Sequence, residues 1–172
     1  MTTQDLNENE SNIFYIKYIN KVPKTISLID GFDAGLNNVL RFFQSIPADK
    51  LEYKYAEDKW TIKEIFQHII DTERIFMYRC FRIARHDKTP LMSFEQDDYI
   101  EPSQANSKSI ASLLQEYAMV RKNSILLLNS LSDDDLKYIG SASGNITSAR
   151  SAAFSTIGHE IWHMDIIKER YL

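Results

Sequence analysis

The amino-acid sequence predicts an all-α protein, an antiparallel four-helix bundle, from three observations. Apolar residues recur at three- and four-residue spacing through most of the chain, as in helices that face a core. No alternating strand pattern extends beyond a few residues, and five glycines and four prolines in 172 residues leave little material for turns. The length and the 44% hydrophobic content suffice for one domain with a buried core.

Four long amphipathic segments are the basis of this prediction. The second begins with Thr61 and Glu64, which form a T-x-x-E capping box, and the loop after it is long enough to cover a site. The predicted order is a flexible, frayed tail over residues 1–12, an apolar segment that stops at Pro23, helices over 25–43 and 61–85, a loop over 86–108, a helix over 109–131, a link rich in glycine, serine and asparagine, and a helix from 147 or 148 almost to 172. The bundle domain is expected to span residues 13–172.

Charge and composition argue against several classes of function. The net charge is −4 and the pI is near 5.6. A protein with this charge gains no binding free energy from counterion release on a phosphate backbone, so no nucleic-acid partner is expected. No apolar run approaches the ~18 residues of a membrane span, and the acidic N-terminus lacks the features of a signal peptide. The single cysteine, Cys80, cannot form an internal disulfide. We therefore predict a soluble cytoplasmic protein.

Three of the four histidines are candidates for one metal site. His159 and His163 lie one helical turn apart, ~6 Å along one face, so both imidazoles can bind the same ion. Small and apolar residues surround them where a solvent-facing flank would carry lysine and glutamate, which indicates a semi-buried pocket. His68, in the middle of the second helix, could complete a three-histidine set that leaves positions open for water or substrate.

A structural interpretation of the histidines also remains open. Two helical histidines can simply make ordinary hydrogen bonds, and His68 can be a hydrogen-bonded residue on the flank of its helix. His86 lies at the C-terminal end of the second helix, where the helix dipole favours a partly charged imidazole. We predict a structural role for His86.

Residues His159 to His163 spell H-E-x-x-H, the motif that supplies two ligands and a general base in zinc proteases. Such enzymes usually need a third ligand downstream, yet only nine residues follow His163, and Glu169 does not share the histidine face. The predicted fold also has no sheet edge to hold an extended peptide. We therefore do not interpret the motif as a protease site.

Two charged residues fall on apolar helix faces, Glu73 on the second helix and Arg121 on the third. Because a buried unpaired charge is costly, we expect the two to pair across the helix interface. The alternative is that each side chain reaches water from the edge of its helix. A pair of this kind would specify packing and is weak support for catalysis.

Several segments resemble the DinB-like superfamily, and the resemblance extends from about Tyr15 to the C-terminus. The matching segments are Tyr53–His68, of which Lys59–His68 is the most specific part, Asp71–Arg74, Tyr78–Arg79, Phe94–Tyr99, Gly158–His163 and Glu169–Leu172. One departure is Trp162, where close relatives often have another histidine. It affects the shape of the pocket and leaves the ligand pair intact.

The resemblance implies an antiparallel four-helix bundle with one long crossover connection. It also implies a site for one divalent ion, such as zinc or nickel, carried here by His68, His159 and His163. A homodimer is implied as well. Characterised relatives include thiol S-transferases that use bacillithiol or mycothiol, and a thiol-dependent maleylpyruvate isomerase.

Two functions are left open. In the first, a metal-dependent transferase or hydrolase, the ion lowers the pKa of a low-molecular-weight thiol or of water for attack on a small electrophile. Arg79, near His68, and the loop acids Asp97 and Asp98 are candidates to orient charged groups, whereas Cys80 lies in an apolar stripe that disfavours its thiolate. In the second, the bundle is a non-catalytic metal-binding or dimerisation module. Three histidine ligands leave one coordination position of the ion open, which favours the enzyme over the non-catalytic module.

Overall fold

The computed structural model describes residues 1–172 and is dominated by four long helices. The seven α-helices and two strands are α1 (Ile13–Ile19), α2 (Leu28–Gln44), α3 (Ile62–Ala84), α4 (Ile100–Ser103), α5 (Ile110–Asn129), α6 (Asp133–Lys137), β1 (Ile139–Ala142), β2 (Asn145–Ser148) and α7 (Ala149–Arg170). The predicted all-α four-helix bundle is confirmed, and its helices are α2, α3, α5 and α7. None of the helices combines the length and the apolar character that crossing a membrane requires.

The long crossover between α3 and α5 determines how the bundle is arranged. Both α5 and α7 pack against α2 and against α3, so α2 and α3 occupy opposite corners. Lys108, just before α5, donates to Gln67 near the start of α3, and Ser124, farther along α5, donates to Glu73. The crossover therefore returns the chain to the end where α3 began, and α3 and α5 run in the same direction.

Local signals in the sequence set the starts of α3 and α7. The Thr61 hydroxyl accepts from the backbone N–H of Glu64, and the Glu64 carboxylate accepts from that of Thr61, which is the predicted capping box. Ser148 caps α7 in a similar way. Near the end of the chain, the Tyr171 hydroxyl donates to the carbonyl of Trp60, just before α3 begins. The two helices are therefore antiparallel.

The sequence predicts a frayed tail over residues 1–12, and the structure instead places this segment against the start of α7. Glu10 is 2% exposed and accepts from the Nε of Arg150 at 2.6 Å. The next residue, Ser11, lies 2.6 Å from the hydroxyl of Ser151. Burial raises the pKa of the Glu10 carboxyl, but hydrogen bonds from Arg150 and neighbouring groups outweigh it and lower this pKa to about 2.

A two-stranded hairpin occupies the link before α7, where the sequence predicts no strand. Strands β1 and β2 pair in antiparallel register from Ile139 with Ser148 to Ala142 with Asn145. The two turn residues between them both have positive φ angles, 53° at residue 143 and 74° at Gly144, as a tight two-residue hairpin turn requires. The hairpin brings residue 143 against α3.

The crossover is also more ordered than the predicted loop over residues 86–108. Within it, α4 is flanked by single 3-10 turns at Asp97–Tyr99 and Ala105–Ser107. Asn106 in the second turn lies against the start of α3, where it contacts Thr61 and Glu64. These contacts hold the returning chain beside α3.

Candidate metal centre

Three buried imidazoles converge between α3 and α7. The Nε2 atom of His159 lies 3.0 Å from Nε2 of His68 and 3.0 Å from Nε2 of His163. The ligand atoms of the three residues all lie within 4.8 Å of one another. The three histidines that the sequence singles out are thus brought together, because the antiparallel pairing of α3 with α7 sets the first third of α3 beside the middle and second half of α7.

A shared ion explains the short distances between these nitrogens better than hydrogen bonds between the imidazoles do. The Nε2 of His159 has a single donor or acceptor position, so it cannot pair with both neighbours in good geometry. Two nitrogens bound ~2.0–2.1 Å from one ion stand about 2.9 Å apart at a right angle and about 3.3 Å apart at a tetrahedral angle. The two separations of 3.0 Å from His159 lie in that range, so this set of residues fits a divalent ion.

The protein environment keeps these imidazoles in the neutral form that binds metals. Burial lowers the pKa of His68 to about 4. Burial also lowers the pKa of His159 and His163 well below the usual value, with smaller contributions from neighbouring positive charges. The Nδ1 atom of His68 lies 3.4 Å from the hydroxyl of Thr72, which can accept a hydrogen bond from a protonated Nδ1 and so leave Nε2 free as a ligand.

A short helix that the sequence did not connect with the site forms one wall of it. The ring of Tyr18 on α1 meets the His159 ring edge to face, with centroids 5.0 Å apart. The approach is possible because residue 158 is glycine: a Cβ there would lie 1.9 Å from the carbonyl oxygen of Tyr18. Phe76 and Trp60 enclose the cluster further, at 5.8 Å from the His159 ring and 4.8 Å from the His68 ring.

The sequence held only a faint signal of this wall. The aromatic residues of α1 were visible as a short apolar segment, but nothing local tied that segment to a helix about 140 residues later. A glycine directly before the first histidine of the pair was the one available hint of close backbone packing.

A cavity of about 490 Å³ opens beside the cluster. His68 and His159 line its inner part, and Tyr15, Phe76 and Arg79 line its walls. Its volume lies within the range of small-molecule sites. The arrangement can therefore admit a small substrate to an ion held by the histidines.

Of the three residues predicted to orient charged groups, one lies in this cavity and two do not. Arg79 lines the wall, as expected from its position near His68. Asp97 and Asp98 are exposed on the 3-10 turn, and Asp98 faces a separate shallow cleft beside Arg74. The structure does not bring these two acids to the cavity, because the crossover lines it only as far as Gln96.

The glutamate of the H-E-x-x-H motif belongs to a buried ion network on another side of α7. Glu160 accepts from the guanidinium of Arg121 and, at 2.9 Å, from the hydroxyl of Tyr117. The predicted pairing of Arg121 with Glu73 is confirmed, at 2.9 and 2.8 Å for two of its nitrogens, and Ser124 also donates to Glu73. Glu160 is thus committed to packing and is not a general base at the histidines.

Cys80 and His86 do not line this cavity. Burial raises the pKa of Cys80 to about 12, so its thiol stays protonated in the apolar core. His86 lies outside the cavity, with its Nε2 3.1 Å from a carboxylate oxygen of Asp135 and its ring stacked on Tyr138 at 4.2 Å.

Solved structures share this architecture. YfiT from Bacillus subtilis, described as a probable metal-dependent hydrolase with an unusual four-helix bundle topology, matches with a TM-score of 0.68 and 17% identity over 96% of this chain and 92% of that one. A mycothiol-dependent maleylpyruvate isomerase matches with a TM-score of 0.64 and 13% identity over 99% of this chain, which spans 63% of that protein. At these identities the likeness concerns the fold.

Comparison at the level of sequence families is more specific. No curated protein matches this sequence. The DinB superfamily model matches residues 32–167, which include α3 and α5, most of α2 and α7, and the three clustered histidines. This chain therefore belongs to the DinB superfamily.

Proposed function

We propose that this protein is a metal-dependent enzyme that promotes attack of a small nucleophile, a low-molecular-weight thiol or water, on a small electrophile. The observation that supports this proposal is the convergence of three neutral, buried imidazoles, two of which line a cavity. The two structural neighbours, a probable metal-dependent hydrolase and a mycothiol-dependent isomerase, point in the same direction. Thiol S-transfer of the bacillithiol type is the first reaction to test, and hydrolysis is the second.

His68, His159 and His163 would hold the ion, and the surrounding structure positions their rings. His159 and His163 stand on one face of α7, and Thr72 orients the ring of His68. When bound, a divalent ion such as zinc or nickel lowers the pKa of a coordinated thiol or water and polarises an electrophile. Tyr18 and Phe76 shield the cluster from bulk water, so charges inside the cavity interact more strongly than at the surface.

Metal analysis of the purified protein tests the site directly. We expect one zinc or nickel ion per chain after reconstitution and removal of excess metal. H159A should lose this ion. H86A is the matched control, because His86 is exposed and pairs with Asp135 outside the cavity, and it should keep the ion. Equal metal content in both variants would contradict the assignment.

Activity assays then separate the two reactions. The metal-loaded protein is incubated with bacillithiol and 1-chloro-2,4-dinitrobenzene for S-transfer, and with a panel of activated esters and amides for hydrolysis. Turnover that requires the thiol and fails in H159A supports a transferase, whereas thiol-independent turnover supports a hydrolase.

A non-catalytic metal-binding or dimerisation module is the second candidate. Structural zinc sites usually have four protein ligands, and three histidines beside an open cavity leave a position free. A bound ion without turnover of any thiol or ester, together with loss of folding on chelation, would favour the module.

A homodimer, implied by the family resemblance, is part of the proposal. An apolar groove between α3 and α5 supports it, since Tyr78, Phe81, Met119 and Leu126 there are all at least 40% exposed. Sedimentation of the wild type against L126E tests this: the wild type should be dimeric and the variant monomeric. A small-molecule substrate, a cytoplasmic location and the lack of a nucleic-acid partner remain predictions.

A further inference from the structure

Arg79 is the one buried arginine of this protein without a carboxylate partner. Three arginines are buried: Arg79, Arg121 and Arg150. Arg121 is paired with Glu73 and Glu160, and Arg150 is paired with Glu10. Arg79 is 4% exposed and forms no ion pair. A buried charge without a counter-ion is costly, so this guanidinium would gain from contact with an anionic ligand.

Neutral groups from three separate segments hold the Arg79 guanidinium in place. It donates from Nη1 to the hydroxyl of Tyr15 at 3.0 Å, and from Nη2 to the carbonyl of Met92 at 3.0 Å and the hydroxyl of Ser143 at 2.9 Å. Helix α1, the crossover and the hairpin thus converge on one charged group. These three bonds leave two of the five N–H groups of the guanidinium for a ligand.

The guanidinium and the histidine cluster lie in the same cavity. Phe76 stands between them, with its ring centroid 5.9 Å from Cζ of Arg79 and 5.8 Å from the His159 ring. One small molecule can therefore reach both. Lys17 adds a second positive charge to the lining, and Glu95, exposed at the mouth and in no ion pair, is the only acid there.

We infer that the cavity binds an anionic substrate: a thiol that carries a carboxylate, with the carboxylate on Arg79 and the sulfur directed to the histidine cluster. The inference rests on the proposed function for the position of the sulfur, and on the unpaired guanidinium for the carboxylate. Arg79 is a binding residue in this arrangement, and Lys17 increases the local concentration of anions near the mouth.

The test compares matched thiols on the cobalt-loaded protein. The probes are 4-mercaptobutyrate and 6-mercaptohexanoate, each against its own amide, with the dissociation constant read from the change in the cobalt absorption spectrum. In the wild type we expect each carboxylate to bind about tenfold more tightly than its amide. In R79Q this ratio should fall to about one while the affinity for the amides is retained.

Two further variants control for charge and for folding. R79K keeps the charge but not the planar fork of donors, so an intermediate ratio is expected. R85Q removes an exposed arginine from the end of the same helix and should keep the wild-type ratio. Because the ratio is measured within one protein, a general loss of stability does not imitate the result.

A thiol-free probe separates this inference from the proposed function. Glutarate should raise the unfolding temperature of the wild type and not that of R79Q, with or without cobalt. If the thiols alter the cobalt spectrum but carboxylates and amides bind equally, the inference is overturned and the proposed function stands. If glutarate discriminates as expected but no thiol perturbs the cobalt, the anion site stands and the thiol chemistry falls.

Discussion

Replacing Gly158 with alanine tests the seating of α1 on α7, on which one wall of the metal centre depends. A Cβ at residue 158 would lie 1.9 Å from the carbonyl oxygen of Tyr18 and 2.3 Å from its carbonyl carbon. Both are backbone atoms, so no side-chain rotation relieves the contact. Restoring an ordinary separation of 3.4 Å requires α1 to move away by about 1.5 Å.

Two opposing contributions set the expected magnitude. Overpacking of a close contact costs ~1–3 kcal/mol, and exchanging glycine for alanine inside a helix returns up to ~1 kcal/mol. We therefore expect G158A to lower the free energy of unfolding by ~1–2 kcal/mol. The same displacement carries Tyr18 away from the His159 ring, so zinc affinity should fall as well.

Gly31 supplies the matched control, because it also lies inside a bundle helix. A Cβ there would meet Cδ1 of Ile157 at 2.6 Å, the far end of a flexible side chain that can turn aside. G31A should thus gain the higher helix propensity of alanine with little steric strain, and its free energy of unfolding should equal or exceed that of the wild type. Urea unfolding with equal m-values and zinc competition against a chelator are the measurements. Equal stability of G158A and G31A would refute the close seating of α1.

Three further predictions concern the ion pairs and the metal. E73Q should lower the free energy of unfolding by about 3 kcal/mol, because it removes one of the two carboxylates that neutralise the buried Arg121, and urea titration measures this. The Glu10–Arg150 pair should stabilise the fold fully above pH ~4.5 and lose its contribution as the pH falls toward 2, because the pKa of Glu10 in the folded protein is lowered to about 2. In E10Q the free energy of unfolding should therefore depend less on pH between these values. Zinc at 100 times its dissociation constant should raise the stability by about 2.7 kcal/mol, seen as a higher unfolding temperature, and H163A should lose this gain.

Local signals made the bundle predictable from the sequence. Each bundle helix has an apolar stripe with helical spacing, and α3 begins at a capping box whose two hydrogen bonds involve neighbouring residues. The convergence of three histidines was accessible for a related reason. His159 and His163 share a helix face by spacing alone, and His68 could be joined to them once helix lengths and directions were assumed.

Features that depend on contacts between distant residues could not be predicted in this way. Residues 1–12 have the polar composition of a tail, and the reason they are seated is Arg150, 140 residues beyond Glu10. The hairpin is short, and its turn needs two residues with positive φ angles. Of these two, only Gly144 is a residue type that indicates such a conformation in the sequence. The acids at 97 and 98 were candidates because they lie in the loop expected to cover the site, and the structure places them on a 3-10 turn outside the cavity.

The H-E-x-x-H pattern illustrates how a helix buried on every side combines two roles. Residues 147–160 are all buried, so successive positions on α7 face different neighbours. His159 faces α3 and the cavity, while the next residue, Glu160, faces Arg121 and α2. The ion network therefore fixes the rotation of α7 about its axis, and that rotation sets where the two histidines point. The glutamate of the motif acts on the metal centre through the position of the helix, so E160Q should weaken zinc binding and lower stability together, whereas a general base would leave stability unchanged when replaced.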